Sequence, residues 1–353
     1  MKKWIALIVS AAILLCLTAC GSSGEPAGTT EQLSAEEGSS TGLQFEKGTN
    51  KALCPICEKK VEWMGLTQEY VDTIRVTDDN GELIDSAIMS GTVFESRHYY
   101  LAEDLTYNDS PVMGFFRGPG KGLTSCLHLN DHNITTPATT SIFGNSGVLN
   151  VMGNGIVTGY SPNLTEGAAV RNGNRNANNG LNLYGGTYKK TAETSADSPV
   201  VAFDGAGRCV SVYEGVVIDG GTGVAVFADS SAAREKEGFL LLQDCAVFGD
   251  VKLADLDVFA TRAEIRNCKV KGTVTIPQGH LLTLSGKVEI DKLTLGEEVR
   301  LTAGELLDGS KITVDATGIF TGKLDAPDAY TGYFLPADPA KKITVQENAL
   351  CCE

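Results

Sequence analysis

The sequence is poor in basic and aromatic residues. Lysine and arginine number 29 against 44 aspartates and glutamates, so the formal net charge is −15. Nucleic-acid binders usually carry a basic surface, and this charge balance argues against a nucleic-acid partner. Only 7% of the residues are aromatic, whereas glycine occurs 40 times without a Gly-X-Y period, which excludes a collagen-like chain. Few aromatic residues and many glycines favour short strands joined by many turns.

Recognisable catalytic motifs are also missing. The sequence contains neither a His-Glu-x-x-His metal motif nor a Gly-x-Ser-x-Gly nucleophile elbow. Two of its four histidines, His128 and His132, bracket one predicted strand and turn. We interpret them as polar surface and turn residues and not as a metal pair. The sequence therefore favours a protein without enzymatic activity.

The N-terminus is organised like a secretion signal. A short basic region precedes an apolar run over 4–17, which is shorter than the ~20 residues that a membrane-spanning helix needs. The run ends in Leu-Thr-Ala-Cys at 17–20, which resembles the lipobox of bacterial lipoproteins. The resemblance implies cleavage before Cys20, lipidation of its thiol, and anchoring on the extracytoplasmic face of the cell membrane. An ordinary signal peptide that is cut nearby is the alternative.

The residues after the leader predict a flexible tether. They are rich in glycine, serine, threonine and glutamate and show no apolar period. We divide the chain into a signal peptide over 1–19, a tether over 20–48, an N-terminal module or cap with a CxxC pair over 49–120, a repeat domain over 121–324 and a C-terminal cap or tail over 325–353.

A weak internal repeat organises the rest of the chain. Short triplets alternate apolar, polar and apolar residues, and past the first six of them a large residue follows the third member by five positions. This alternation is the period of a strand with one buried face, and stacked units of this kind share a continuous core. The sequence predicts an all-β fold, a parallel β-helix. The triplets lie at 127–129, 149–151, 181–183, 210–212, 240–242, 263–265 and 282–284, with weaker copies at 299–301 and 312–314.

A resemblance to a known family is carried by segments 98–101, 126–134, 149–152 and 182–188. They resemble the pectin-lyase-like right-handed β-helix proteins of Gram-positive cell surfaces, over about residues 50–320. The resemblance implies a right-handed parallel β-helix. It implies no particular activity, because that fold hosts lyases, hydrolases, adhesins and inert stalks.

Two cysteine pairs are candidate structural or metal sites. Cys54 and Cys57 form a CxxC pair, for which half of a zinc site, a local disulfide and an uncommitted pair all stay open. Cys245 and Cys268 share a repeat position on adjacent coils. That placement predicts either a disulfide, which an extracytoplasmic compartment permits, or two stacked buried residues.

Acidic residues form one candidate catalytic or calcium site. Glu214 and Asp244 share a repeat position on adjacent coils, so their carboxylates would stack ~5 Å apart. Two carboxylates at this spacing suit a retaining glycosidase. Together with Asp219 and Asp250 they would supply oxygen ligands for calcium, the one cofactor considered for the coils. The alternative is a set of solvated turn residues.

Aromatic and amide side chains form a second candidate site. Tyr184 and Tyr213 each follow an inward-facing position, so both rings should point outward on neighbouring coils, beside Asn150 and Asn182. Flat rings next to amides can bind sugars, and we predict a carbohydrate-binding strip here. The alternative is a cross-strand aromatic pair that only stabilises the sheet.

These observations favour one function over two others. We expect a non-enzymatic surface lipoprotein, a rod that binds carbohydrate or another surface ligand through the strip or through the insertions at 160–179, 190–207 and 222–238, which should emerge on one side. The alternatives are a polysaccharide lyase or glycoside hydrolase of the same fold, and a purely structural envelope component.

Overall fold

Parallel strands make up nearly all of the regular structure in the computed structural model. The predicted signal peptide, Cys20 and most of the tether lie outside the described residues. No helix in the described part of the chain is long and apolar enough to cross a membrane. The structure describes residues 42–73, 92–93, 97–106, 116–117, 124–136, 143–144, 148–161, 167–172, 180–204, 209–229, 238–255, 260–297, 299–316 and 318–353.

The first sheet has eleven strands, and strands are numbered along the chain. Its neighbours pair in parallel except for β1, which runs antiparallel to β2. The order is β1 Lys51–Cys54, β2 Lys59–Leu66, β4 His98–Leu101, β7 Thr124–His128, β10 Val148–Met152, β13 Gly180–Leu183, β16 Cys209–Val212, β18 Gly238–Gln243, β20 Thr261–Arg266, β22 Leu281–Gly286 and β24 Arg300–Leu306.

The second sheet has fifteen strands and is parallel throughout. Its main path contains β3 Thr92–Val93, β6 Phe116–Arg117, β9 Phe143–Gly144, β12 Val170–Asn172, β15 Val201–Asp204, β17 Val217–Asp229, β19 Ala246–Leu253, β21 Lys269–Ile276, β23 Glu289–Leu295, β25 Lys311–Asp315 and β27 Phe334–Pro336. A branch that joins it at β17 contains β5 Leu105–Thr106, β8 Ile134–Thr135, β11 Ile156–Gly159 and β14 Thr187–Lys190.

A small antiparallel sheet and two short helices complete the described structure. The sheet consists of β26 Gly318–Ile319, β28 Ile343–Gln346 and β29 Ala349–Cys352. Its residues Leu350 and Cys352 belong to the main hydrophobic core, so this sheet packs against the end of the parallel stack. The helices are α1 Gln68–Thr73 and a 3₁₀ helix Pro327–Ala329.

The core is a set of aliphatic rows that run across the strands. Inward-facing side chains of neighbouring first-sheet strands lie in register and are fully buried, as in the row Leu127, Val151, Leu183, Val212 and Leu242. Burial of each such side chain contributes roughly 1.5–3 kcal/mol. The structure thus confirms the predicted all-β fold at the level of a solenoid-like stack of parallel strands.

The predicted repeat register is correct in the middle of the chain and wrong at its ends. Strands from β10 to β22 pair as the triplets predict. At the N-terminal end the triplet that matches 149–151 is 125–127 and not 127–129. Near the other end Leu284 pairs with Ala303 and not Leu301, and 312–314 belongs to the second sheet. A slip of two residues keeps every side chain on its face, so alternation alone could not detect these errors.

The parallel stack also begins earlier than predicted. Residues Trp63–Leu66 of β2 pair in parallel with β4, and β4 pairs in parallel with β7. The predicted domain boundary at 121 therefore lies inside the stack. The described strands that precede it, from β3 to β6, are only two to four residues long, which is too short for a visible repeat.

Candidate metal centre and outward-facing strip

The N-terminal hairpin lies on the outer face of the first sheet. The first half of β2 pairs with β1 and its second half pairs with β4. Hairpin residues Ala52, Cys54 and Trp63 form a second hydrophobic cluster with Cys126 and Met152. The latter two alternate along their strands with the inward-facing Leu127 and Val151, so they point outward. The hairpin thus covers the outer face of the first coils.

Four potential metal ligands meet under this hairpin. One ligand atom each from Cys54, Cys57, His98 and Cys126 lies within 4.8 Å of every other. Cys57 Sγ is 3.8 Å from Cys126 Sγ and 3.3 Å from His98 Nε2. Cys54 and Cys126 are buried, and Cys57 and His98 are partly buried. Sequence reasoning found the first pair but missed His98 and Cys126.

The local sequence explains how the hairpin supplies two of these groups. The Cys57 backbone N–H donates to Cys54 Sγ at 3.4 Å, and the Glu58 N–H donates to the Cys54 carbonyl oxygen at 2.8 Å. Glu58 has a φ of +53°, in the left-handed region, which turns the chain back into β2. The turn therefore holds both sulphurs on the same side of the hairpin.

The parallel sheet supplies the other two groups. His98 and Cys126 are register partners on β4 and β7, so their Cα atoms lie ~4.8 Å apart on the outer face. Trp63 is the register partner of His98 on β2, and its indole meets the imidazole edge to face at 5.1 Å. The Trp63 indole N–H donates to the Ala52 carbonyl oxygen at 3.3 Å. Packing and hydrogen bonding thus fix the ring that orients His98.

The contacts within the cluster shift the acidity of its thiols. The pKa of Cys54 is held well below the usual thiol range, first by a hydrogen bond from Cys126 and then by His98 and backbone N–H groups. The pKa of Cys126 is raised because its proton serves that hydrogen bond and because the side chain is buried. Asn150 Nδ2 donates to Cys126 Sγ at 3.6 Å. Burial, followed by the neighbouring Cys54, likewise raises the pKa of Cys57, so the contacts favour the thiolate, the form that binds metals, at Cys54 alone.

The register error explains why two of the four groups were missed. With 127–129 aligned to 149–151, His128 took the place opposite Asn150. In the structure Cys126 is opposite Asn150, and His98 precedes it in the same outward row. The segments at 98–101 and 126–134 that carry the family resemblance begin with these two residues. Placing His98 and Cys126 side by side on adjacent strands, close to the CxxC pair, would have indicated a site with four ligands.

The other two histidines of this region have local partners. His128 Nδ1 accepts a hydrogen bond from the Asn130 backbone N–H at 3.0 Å, and the side chain is buried. The interpretation of His128 as a surface residue is therefore wrong. His132 Nδ1 lies 3.3 Å from a carboxylate oxygen of Asp104, which also accepts the Asn133 backbone N–H. Neither histidine belongs to the cysteine cluster.

The predicted sugar-binding strip forms a ladder next to the hairpin. The rings of Tyr184 and Tyr213 stack with centroids 4.4 Å apart and planes at 3°. Asn182 Nδ2 donates to Asn150 Oδ1 at 2.8 Å. Tyr184 packs against the hairpin cluster, and Asn150 is buried. Stacking covers one face of each ring, and binding of a ligand to the rest of the strip stays a prediction.

Three of the four predicted acidic ligands have separate partners in the structure. Asp244 accepts hydrogen bonds from Asn267 Nδ2 at 2.8 Å and from Gln243 Nε2 at 3.0 Å. Asp219 lies 3.7 Å from the Lys189 ammonium. Asp250 and Glu214 complete the set: the former accepts the Thr273 backbone N–H at 2.8 Å, and the latter is exposed.

The second cysteine pair lies in the hydrophobic core. The Sγ atoms of Cys245 and Cys268 are 3.1 Å apart, and both side chains are buried. Cys268 Sγ also contacts the Arg266 carbonyl oxygen at 3.2 Å. The predicted neighbourhood on adjacent coils is present, and both a disulfide and a stacked pair of thiols remain open.

The predicted insertions contain neighbouring strands. Those at 160–179, 190–207 and 222–238 contain β12, β15 and the second half of β17, which are neighbours in the second sheet, so the prediction of inserted loops is wrong for these parts. The parts at 162–166, 173–179, 205–208 and 230–237 lie outside the described residues.

Two further findings frame the assignment of function. Among the described residues, the cysteine–histidine cluster is the one group of three or more cysteine, histidine or acidic side chains whose ligand atoms lie close enough to share a metal ion. Comparison of the chain with protein-family models, with curated proteins and with solved structures yields no match.

Proposed function

We propose that the chain is a lipid-anchored extracytoplasmic rod, a right-handed parallel β-helix that binds carbohydrate on a cell or matrix surface and has no enzymatic activity. The lipid is attached to Cys20 and holds the protein at the outer face of the cell membrane. The observation that carries the binding function is the outward ladder of Tyr184, Tyr213 and Asn182 on a rigid sheet. Aromatic and amide groups held in this way match the alternating apolar and hydroxyl surfaces of a sugar chain.

The geometry of the acidic residues favours binding over hydrolysis. Both carboxylate oxygens of Asp244 already accept hydrogen bonds from neighbouring amide side chains. A carboxylate acting as nucleophile or acid needs a free face toward the sugar. In Asp244 that face is taken by the amides of Asn267 and Gln243. A glycosidase function at Glu214 and Asp244 is therefore the weaker candidate.

Binding is tested with the full chain against a panel of plant, mucin and cell-wall polysaccharides. Tyr213 is the better ring to remove, because Tyr184 also packs against the hairpin cluster. We expect Tyr213→Ala to weaken binding about 10-fold or more, as loss of a contact of 1–2 kcal/mol requires. The matched control is Tyr330→Ala, in a tyrosine pair that lies at the other end of the stack.

Two results would overturn the proposal. Wild-type protein that binds no polysaccharide, yet self-associates, would instead support a structural envelope component. New reducing ends or unsaturated products released from any polysaccharide would support an enzyme. The lipid anchor is tested separately by labelling cells with a fatty acid analogue: Cys20→Ser should lose the label and Cys16→Ser should keep it.

A further inference from the structure

The cysteine–histidine cluster joins three separate parts of the chain. Cys54 and Cys57 belong to the hairpin, His98 to β4 and Cys126 to β7. The last two strands are neighbours in the first sheet. The hairpin pairs with β4 through the second half of β2, whereas its turn with Cys54 and Cys57 packs on the outer face. Anything that binds all four groups would therefore fasten the hairpin to the first coils.

The distances and donor types match one kind of ligand. Two thiolates bound to a tetrahedral zinc ion at ~2.3 Å lie about 3.8 Å apart, and Cys57 Sγ and Cys126 Sγ are 3.8 Å apart. A disulfide would need its sulphurs at ~2.05 Å and would use only two of the three. It would also give no reason for His98 Nε2 to face Cys57 Sγ at 3.3 Å. Three thiolates and one imidazole whose ligand atoms lie within 4.8 Å of one another are a donor set of structural zinc sites.

We propose that Cys54, Cys57, His98 and Cys126 bind one structural zinc ion that fastens the N-terminal hairpin to the first coils of the stack. This inference does not depend on the carbohydrate-binding function proposed above. Zinc binding releases the thiol protons to solvent and leaves three thiolates around a divalent cation.

The surroundings of the ion fit a closed, non-catalytic centre. Four protein ligands complete a tetrahedral shell and leave no position for water or substrate. The centre would carry a net charge of −1, and the ammonium group of Lys59 is close enough to act on Cys57 by its charge. The Cys57 N–H bond to Cys54 Sγ and the Asn150 bond to Cys126 Sγ hold two ligands in place, as outer hydrogen bonds do in metal sites.

The site lies between the predicted tether and the parallel strands, and this position indicates a structural role for the ion. The hairpin follows the predicted tether, whose residues Leu43 and Phe45 already pack on the hairpin cluster. A force on the lipid anchor would therefore reach the rod through residues 43–66. Zinc would connect this hairpin directly to β4 and β7. Without the ion, hydrophobic contacts around Trp63 and the four-residue pairing between β2 and β4 would hold the hairpin.

The first test measures the metal content of the full chain, purified under reducing conditions and without chelators. We expect inductively coupled plasma mass spectrometry to find about one zinc ion per chain. Cys126→Ser and His98→Ala should fall below about a tenth of that value, because three ligands bind zinc far more weakly. The matched controls Cys268→Ser and His132→Asn should keep the full content. A chain that contains no zinc and takes up neither Zn²⁺ nor Co²⁺ would overturn the proposal, as would equal zinc in all variants.

A second variant separates metal binding from folding. His98→Cys keeps four ligands, so it should bind zinc where His98→Ala does not. Its Co²⁺ complex should keep the intense visible absorption bands of tetrahedral cobalt bound to thiolates. The band positions should change, because a fourth sulphur replaces the imidazole nitrogen. If His98 only packs against Trp63, the Cys variant will lose zinc as completely as the Ala variant, and the proposal fails.

A third measurement tests the fastening role. The hairpin region contains Lys47, Lys51, Lys59 and Lys60, which trypsin can cleave when the segment opens. Chelation should speed cleavage at these lysines about tenfold or more, and added Zn²⁺ should reverse the effect. Equal cleavage with and without zinc would show that the ion does not hold the hairpin.

Discussion

Polar side chains at the two ends of the stack differ in where they find their hydrogen-bond partners. At the C-terminal end His280 is satisfied within the chain: its Nδ1 accepts the Thr261 backbone N–H at 2.8 Å, and Nε2 lies 2.9 Å from the Ala254 carbonyl oxygen. Ser310 there bonds to three backbone groups. At the N-terminal end four side chains point at one another and share few partners outside their own cluster. Convergence of several metal-ligating side chains on one point is what distinguishes a site for an added ion from a core whose polar groups bond to the backbone.

The cysteines show the same contrast. Cys245 and Cys268 form an isolated pair among aliphatic side chains, with no histidine beside them. The N-terminal sulphurs come as three, with an imidazole and with N–H donors directed at sulphur. The first arrangement can close a disulfide or stay reduced, whereas only the second offers four ligands to one metal. Spacing of cysteines along the chain does not distinguish them, but their neighbours do.

The largest effect should come from the residue that packs the hairpin against the sheet. Trp63 is buried and touches both His98 and His128. Trp63→Ala should cost about 3–5 kcal/mol of local stability, by loss of buried area and by the cavity that remains. Hydrogen exchange should show this loss in 51–66 and 98–101. Equal loss of protection across β20 to β23 would contradict the view that the two ends are energetically separate.

Removal of zinc should have the next largest effect, and it should be confined to the same end. Chelation should lower hydrogen-exchange protection in β1, β2, β4 and β7 about 100-fold, which corresponds to about 2.7 kcal/mol of bound-ligand stabilisation. Protection in β20 to β23 should not change. Loss of protection in β20 to β23 would mean that the metal stabilises the whole stack. Unchanged protection in every strand would mean that the metal does not stabilise the fold.

His280 provides a smaller, pH-dependent effect at the other end. Burial lowers its pKa below the ordinary value of 6.5, although the Ala254 and Thr261 backbone groups and Asp255 oppose the shift. Since the unfolded chain binds the proton more readily, the free energy of unfolding should be highest above about pH 6.5 and fall as the pH drops toward the folded pKa. His280→Asn should flatten this slope, because the variant removes the group whose pKa differs between the folded and unfolded chain. A slope that is unchanged in the variant would assign the effect to other groups.

The smallest effect should come from the second cysteine pair. Cys245→Ala removes one small buried sulphur from the core and should cost about 1 kcal/mol, without any change in zinc content. Mass measurement of the wild-type chain after exposure to a mild disulfide oxidant settles the open choice at this pair: a loss of two hydrogens localised to Cys245 and Cys268 indicates a disulfide, and unchanged mass indicates stacked thiols.

The sequence predicted the fold better than it predicted the site. Alternation of apolar residues and the large residue that follows each triplet were sufficient for a stack of parallel strands, because every coil repeats the same inward row. Register at the ends was wrong by two residues, since period-two alternation does not distinguish 125–127 from 127–129. Cys126 and His98 are therefore visible as neighbours only once β4 and β7 are paired.

The hairpin was the other obstacle to prediction from sequence. Cys54 and Cys57 showed half of a zinc site, and no second half lies at the usual spacing along the chain. The other half comes from two strands that are 41 and 69 residues away from Cys57, and the bend in β2 brings the hairpin over them. Contacts between the turn of an antiparallel hairpin and the outer face of parallel strands have no periodic signal in the sequence.

The central claim is that a zinc ion in this protein is bound by three sulphurs and one nitrogen. X-ray absorption at the zinc edge of the full chain tests it most directly. We predict a first shell of three sulphurs at about 2.3 Å and one nitrogen at about 2.0 Å, unchanged in Cys268→Ser and lost in Cys126→Ser. A shell of oxygen and nitrogen alone, or the same shell in both variants, would contradict the account.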